Sequence, residues 1–403
     1  MVDISLEEFK EAEKLLMPII HRTETLFSNS FSKIAGSNVY LKPENLQKTA
    51  SFKIRGASYK IMKLQQKGEH RNVVSASAGN HAQGVAYAAR KAGVKAKIVM
   101  PVSTPLMKIE ATKSYGAEIV LSGTGFDEAF AEAMKINALE NACFIHPYND
   151  IDVITGQGTV GLEILEDYPD TDIILVPAGG GGLLAGIATV AKKMKPDVKV
   201  IGVQAETANA ICRSFREKKH IVTDTADTIA DGIAVKNPGE ICLDLIFQNV
   251  DEMLEVGNED IDIAILTMVE RTKLITEPAG AASIAALMKY KDRFKGKNVV
   301  CILSGGNADT WKIHRYLEVG LIKTDRWVTF EAMIKAKQGS MPKLTDIIVN
   351  QCGTTLMDIT LDRYAETNPD LIACRVTCEV RNAEHKKELI QTLKKHYEIK
   401  LFS

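Results

Sequence analysis

The sequence predicts a doubly wound α/β protein followed by a small α+β domain. Two observations carry this. From residue 38 to about 320, short apolar β-rich runs alternate with helical patterns, as in repeated βαβ units. Many of these runs are almost continuously apolar, which suits strands of a parallel sheet covered on both faces. Strands are expected at 38–41, 72–75, 97–100, 118–121, 172–176, 199–203 and 298–303. Helices are expected at 55–66, 81–92, 105–115, 125–139, 183–193 and 261–272.

The pattern changes near residue 325. Residues 327–334 read as a strand, 342–351 as a helix, 358–363 and 371–380 as strands, 383–396 as a helix and 398–402 as a last strand. A βαββαβ order is the ferredoxin-like split motif. Two domains are therefore expected, 1–324 and 325–403. A length of 403 residues also exceeds what one hydrophobic core ordinarily holds.

Bulk composition narrows the function class. Hydrophobic content is 45%, charged content 25% and formal net charge −1, which leaves no electrostatic footprint for nucleic acid or an anionic membrane. The seven cysteines are scattered, odd in number and without a CxxC pair, so they read as reduced, mostly buried thiols of a cytoplasmic protein. No Cys/His cluster has zinc-ligand spacing. The acidic, amphipathic first 14 residues lack the form of a signal peptide. Residues 173–191 are uncharged, but Pro177 and the run Gly179 to Gly182 would break a lipid-exposed helix there. A buried strand, a glycine loop and a helix account for that stretch.

Four loops carry chemistry. In the first, Thr49 and Ser51 are candidate N-caps for a helix whose first turn contains Lys53, where the positive dipole end disfavours an ammonium ion. An amine with a lowered pKa is what a Schiff-base lysine requires, although an arbitrary lysine on a helix face is ordinarily just solvated. In the second, Ser77-Ala78-Gly79-Asn80-His81 opens a helix with small residues whose backbone N–H groups suit a carboxylate. The third is Gly179-Gly180-Gly181-Gly182-Leu183, between a strand and a helix. Four glycines sacrifice much conformational entropy, and a phosphate drawn close to the backbone explains why. The fourth, Ser304-Gly305-Gly306-Asn307, closes the strand at 298–303, and strand C-terminal ends are where open α/β sheets bind ligands. The third loop also fits a dinucleotide fingerprint, Gly180-x-Gly182-x-x-Ala185 with Glu206 beyond it, so an NAD-dependent oxidoreductase is the alternative from a different class. That alternative leaves Lys53 and the Asn80 loop without a task.

Together the four loops resemble the fold-type II pyridoxal-phosphate enzymes, two doubly wound parallel-sheet subdomains, and most closely the threonine dehydratases. The Ser51-Phe52-Lys53-Ile54-Arg55-Gly56 stretch matches the dehydratase and serine racemase branch. The resemblance implies pyridoxal 5'-phosphate bound to Lys53, with Phe52 beside it. It implies Asn80 on the pyridoxal 3'-oxygen, Gly179, Gly180, Gly181, Gly182 and Leu183 around the phosphate, and Ser304 at the ring nitrogen. Ser77, Ala78, Gly79, Asn80 and His81 would hold the substrate carboxylate. The implied reaction is β-elimination from L-threonine to 2-oxobutanoate and ammonia, with L-serine giving pyruvate. In the family's serine racemases a second serine stands at position 78, so Ala78 points to dehydration over the racemase alternative. Some relatives bind a divalent cation with an acid six positions after a residue like Glu206; Cys212 stands there, so no metal is assigned and Glu206 stays a candidate only. The C-terminal region resembles an ACT domain, which implies a regulatory amino-acid or nucleotide effector and a homo-oligomer, dimer or tetramer. Its usual acid and proline before Gly-Ser are replaced by Lys337-Gln338 before Gly339-Ser340. Isoleucine would be the effector of a biosynthetic enzyme and a nucleotide that of a catabolic one; the sequence leaves the two open.

Overall fold

The structure is a computed structural model and describes residues 2–362 and 368–402. Arg363, the last residue of one expected strand, lies outside them. The chain divides into two compact units, Met1–Asp309 and Thr310–Ser403. The division lies ahead of the 324/325 boundary expected above, so helix Thr310–Lys323 falls with the second unit.

Strands β1 (Leu26–Phe27) and β2 (Asn38–Lys42) begin a six-stranded sheet. Strands β3 (Val73–Ala76), β4 (Ala96–Met100), β5 (Glu118–Leu121) and β6 (Cys143–Phe144) form a separate four-stranded one. Strands β7 (Ile173–Pro177), β8 (Lys199–Ala205), β9 (Glu252–Val256) and β10 (Asn298–Ile302) complete the first sheet, in the order β1-β2-β10-β7-β8-β9. Every pairing in these two sheets is parallel except β1 with β2. The strands expected from continuous apolar runs are present, and β3 and β7 are buried along their whole length. The run at 173–191 is β7, the glycine loop and helix Gly182–Met194. No helix of the described residues is long and apolar enough to cross a membrane.

The second unit contains β11 (Trp327–Lys335), β12 (Thr355–Asp362), β13 (Leu371–Glu379) and β14 (Ile399–Phe402) in one antiparallel sheet, ordered β12-β13-β11-β14. Helices Ser340–Asp346 and Ala383–Lys394 supply the βαββαβ order. The helix expected at 342–351 ends its α-helical part at Asp346 and continues as one π-helical turn, Ile347–Gln351.

Helix packing in the first unit explains what the sequence pattern missed. Helix Ile151–Asp167 contains Gly156, Gly158 and Gly161, residues of poor helix propensity. They serve close crossings. A Cβ on Gly156 would stand 2.7 Å from the Cα of Gly56, on helix Lys53–Gln66, and a Cβ on Gly158 would stand 2.9 Å from the carbonyl oxygen of Gly186. Parallel pairing sets β2 and β7 on either side of β10, so their C-terminal ends open side by side. The Lys53 segment, the glycine loop and Ser304 follow those three ends.

Candidate active site

Lys53 is the first residue of helix Lys53–Gln66. The expected caps are not used. Phe52 is the N-cap residue and no side chain caps the helix, while the Thr49 and Ser51 hydroxyls are buried without a hydrogen-bond partner. The chain reaches this helix another way. Ala50 adopts a left-handed φ of 53°, a conformation costly for a residue with a Cβ. Its carbonyl accepts from Gly306 N, Ser51 bridges Gly305, and Phe52 N donates to Ser304 O at 3.2 Å. The loop after β10 thus fixes the entry to Lys53.

The half-buried Lys53 amine donates to the carbonyl oxygen of Pro147 at 2.7 Å and lies 5.2 Å from the centre of the Phe52 ring. Burial holds its pKa down at about 8, with partial opposition from Cys242 and Glu277. The free amine is therefore accessible near neutral pH.

The Asn80 loop follows β3. Gly79 N donates to Ser77 Oγ at 3.2 Å, and Ser77, Ala78, Gly79 and Asn80 all keep partial exposure. His81 differs from them: it is buried, its Nε2 pairs with Ile145 O at 3.0 Å, and burial drops its pKa to about 3. Its ring faces the protein interior and stays neutral, so only its backbone belongs with the loop.

Asn80 sits in a polar chain that the sequence did not reveal. Its Nδ2 donates to Glu277 Oε1 at 2.7 Å, and Asn307 Nδ2 donates to Asn80 Oδ1 at 2.8 Å and to Thr49 O at 2.9 Å. These contacts fix the orientation of the Asn80 amide and leave one of its two N–H bonds free. Burial raises the Glu277 carboxyl to about 7, against the opposing hydrogen bond from Asn80. The only sequence signal was Glu277-Pro278 at a helix start.

The glycine loop is bounded by segment 146–149, which the sequence also did not flag. A Cβ on Gly180 would come within 2.4 Å of the Tyr148 ring, and one on Gly182 within 3.1 Å of Tyr148 O. Gly181 has a φ of 102°, and helix Gly182–Met194 starts there with no side-chain cap. Its first-turn N–H groups have no partner within the helix. Tyr148 is held by its hydroxyl on Asn237 O at 3.0 Å, and His146 Nδ1 accepts from Tyr148 N and Asn149 N at 3.2 and 2.8 Å. Leu183 is buried behind the loop, and Ser304 Oγ donates to Ala279 O at 3.4 Å.

The model of the family described as pyridoxal-phosphate dependent enzyme matches residues 16–305. The chain belongs to that family. This pyridoxal-phosphate dependent enzyme is 43% identical to an L-threonine ammonia-lyase of Thermotoga maritima over 400 residues, 99% of each chain. The processed form of threonine deaminase isoform 2 from Solanum lycopersicum aligns with a TM-score of 0.74 at 35% identity, covering 79% of this chain and 94% of that one. Maize serine racemase aligns with a TM-score of 0.75 at 32% identity, covering 80% and 99%.

The residues fit the cofactor. A Cβ at Gly180, Gly181 or Gly182 would crowd Tyr148 or Cys242, so only glycine lets the bare loop backbone pass here, the uncapped helix end offers N–H donors to a phosphate, and the Lys53 amine is held at a depressed pKa. The nicotinamide reading of Gly180 and Gly182 gives way to the family match. The residues do not fit a hard cation at Glu206. Its carboxylate is paired with Lys289 Nζ at 2.6 Å, and Lys289 also reaches Asp260 at 2.8 Å. Cys212 is buried, its thiol is directed at Leu254 O, and burial pushes its pKa up.

Proposed function

We propose that this chain is an L-threonine ammonia-lyase that eliminates the β-hydroxyl of L-threonine, giving 2-oxobutanoate and ammonia, and that it also converts L-serine to pyruvate. The observation that carries the reading is the Lys53 amine, depressed to about 8 and 5.2 Å from the Phe52 ring centre, in a chain 43% identical to a protein of that name across its length.

When bound, pyridoxal phosphate supplies an electron sink for the pair left at the substrate Cα. Lys53 would hold the cofactor through its amine, and that amine, when free, would be the base that takes the substrate Cα proton. Gly179, Gly180, Gly181, Gly182 and Leu183 would hold the phosphate. Asn80 would offer its free N–H to the pyridoxal 3'-oxygen, Ser304 its hydroxyl to the ring nitrogen, and Phe52 its ring beside the cofactor. A hydroxyl there, unlike a carboxylate, would not hold the ring nitrogen protonated, which would favour elimination over transamination. Ser77, Ala78, Gly79, Asn80 and the His81 backbone receive the substrate carboxylate. Ala78 offers no acid or base on the opposite face, which favours elimination over racemisation.

The C-terminal unit is read as a regulatory ACT domain, supported by its βαββαβ order and by relatedness that extends over the full chain. Its effector is an amino acid, isoleucine if the enzyme is biosynthetic, or else a nucleotide. A homo-oligomer follows from the ACT reading. Six buried free thiols support a reducing compartment, the cytoplasm.

The test is 2-oxobutanoate and ammonia release from L-threonine by the purified holoenzyme, with and without isoleucine or ADP. Turnover supports the reading. No turnover of threonine, with D-serine formed from L-serine, would replace it with the racemase. Kinetics and melting temperature indifferent to both effectors would remove the regulatory assignment alone.

A further inference from the structure

Two residues beyond Lys53, Arg55 is completely buried. All five of its N–H bonds are used. Nε donates to Glu44 Oε2 at 2.8 Å and Nη2 to Glu44 Oε1 at 2.8 Å. Nη1 donates to Glu163 Oε1 at 2.6 Å and to Thr159 Oγ1 at 3.1 Å, and Nη2 donates to Glu163 Oε2 at 2.9 Å. Both carboxylates are buried and both are gripped bidentately. Lys42, also fully buried, donates to Glu163 Oε2 at 2.6 Å and to Thr23 O. Thr23 Oγ1 donates to Glu44 Oε1 at 2.6 Å. Two cations thus face two carboxylates in a buried cluster of zero formal charge.

Such a cluster is a poor source of stability, because desolvating four charges offsets their attraction. What it supplies is geometry. Glu44 stands on the short turn after β2 and Glu163 on helix Ile151–Asp167, so the guanidinium ties the helix carrying Lys53 to two other elements at its first turn. The far side of that turn has no slack either: a Cβ on Gly84 would come within 3.1 Å of the Lys53 carbonyl.

We infer that Arg55 is a positioning residue for the reaction proposed above: clamped by Glu44 and Glu163, it fixes where Lys53 presents its amine. This rests on Lys53 being the cofactor lysine. The titratable groups that act on the Lys53 amine are Cys242, Glu277, His81 and His146, none of them in the cluster, so the clamp acts through geometry.

The fork can be broken with its charge kept, and that separates positioning from bulk stability. Arg55→Lys loses both bidentate grips and cuts kcat of the holoenzyme by about tenfold or more with KM for threonine nearly unchanged and the cofactor still bound by visible absorbance. A merely structural role lowers the melting temperature and the yield of folded holoenzyme without that split between kcat and KM. Wild-type kcat in Arg55→Lys, or a loss carried by KM instead of kcat, would overturn the inference. If Lys53→Ala keeps full activity instead, the fault lies with the proposed function and not with Arg55 alone.

Discussion

Lys53 Nζ donates to the carbonyl oxygen of Pro147 across 2.7 Å. This tether joins the helix that carries the amine to the segment that walls the glycine loop. With the amine at about 8, only about a tenth of it is unprotonated at pH 7. With Lys53 in its proposed role, cofactor uptake by the apoprotein requires the neutral amine. Its rate should rise about tenfold between pH 7 and pH 9.5, with a midpoint near 8, in stopped-flow absorbance. A flat profile over that range would contradict the depressed amine.

Glu277 gives a second pH signature, of opposite kind. Its folded pKa of about 7 lies above the ordinary 4.5, so the folded state holds that proton more tightly than the unfolded chain does. Stability is therefore lost as pH rises from 4.5 through 7. Glu277→Gln keeps an acceptor for Asn80 and removes the ionisation. The apoprotein variant should resist urea unfolding better than wild type at pH 8, by about 1–2 kcal/mol after allowance for partial exposure, and match it near pH 4.5. An equal effect at both pH values would remove the titration argument.

The glycine cradle predicts a defect confined to the cofactor. In Gly180→Ala the new Cβ meets the Tyr148 ring at 2.4 Å. Titration of the apoprotein with pyridoxal phosphate should show affinity down by at least about tenfold, equivalent to 1.4 kcal/mol. Wild-type affinity would mean that Tyr148 moves aside at no cost.

Much of this site was legible because its signals were local. Four consecutive glycines, a lysine before a helix and a strand ending in Ser304-Gly305-Gly306 each carry their reason within a few residues. The unread parts depend on contacts distant in the chain. Glu277 matters because it meets Asn80, 197 positions away, and the 146–149 segment because it meets Lys53 and Gly180. Helix Ile151–Asp167 was obscured by the very glycines that let it cross its neighbours. Thr49 and Ser51 look like caps, yet the backbone bonds from Ser304 and Gly306 set the entry to the Lys53 helix.

In the proposed reaction Ala78 is the position expected to separate elimination from racemisation. The wild-type holoenzyme should form 2-oxobutanoate from L-threonine and little D-serine from L-serine. Ala78→Ser, which introduces a hydroxyl on a partly exposed loop, should raise D-serine formation by about tenfold or more in chiral chromatography. High racemisation already present in the wild type would reassign the enzyme.

The most direct measurement compares wild type with Lys53→Ala, following the visible absorption of the lysine-bound cofactor and 2-oxobutanoate release in the same sample. The account predicts that the variant loses the band and that turnover falls by about a thousandfold or more. A variant that keeps both would show that Lys53 is not the cofactor lysine.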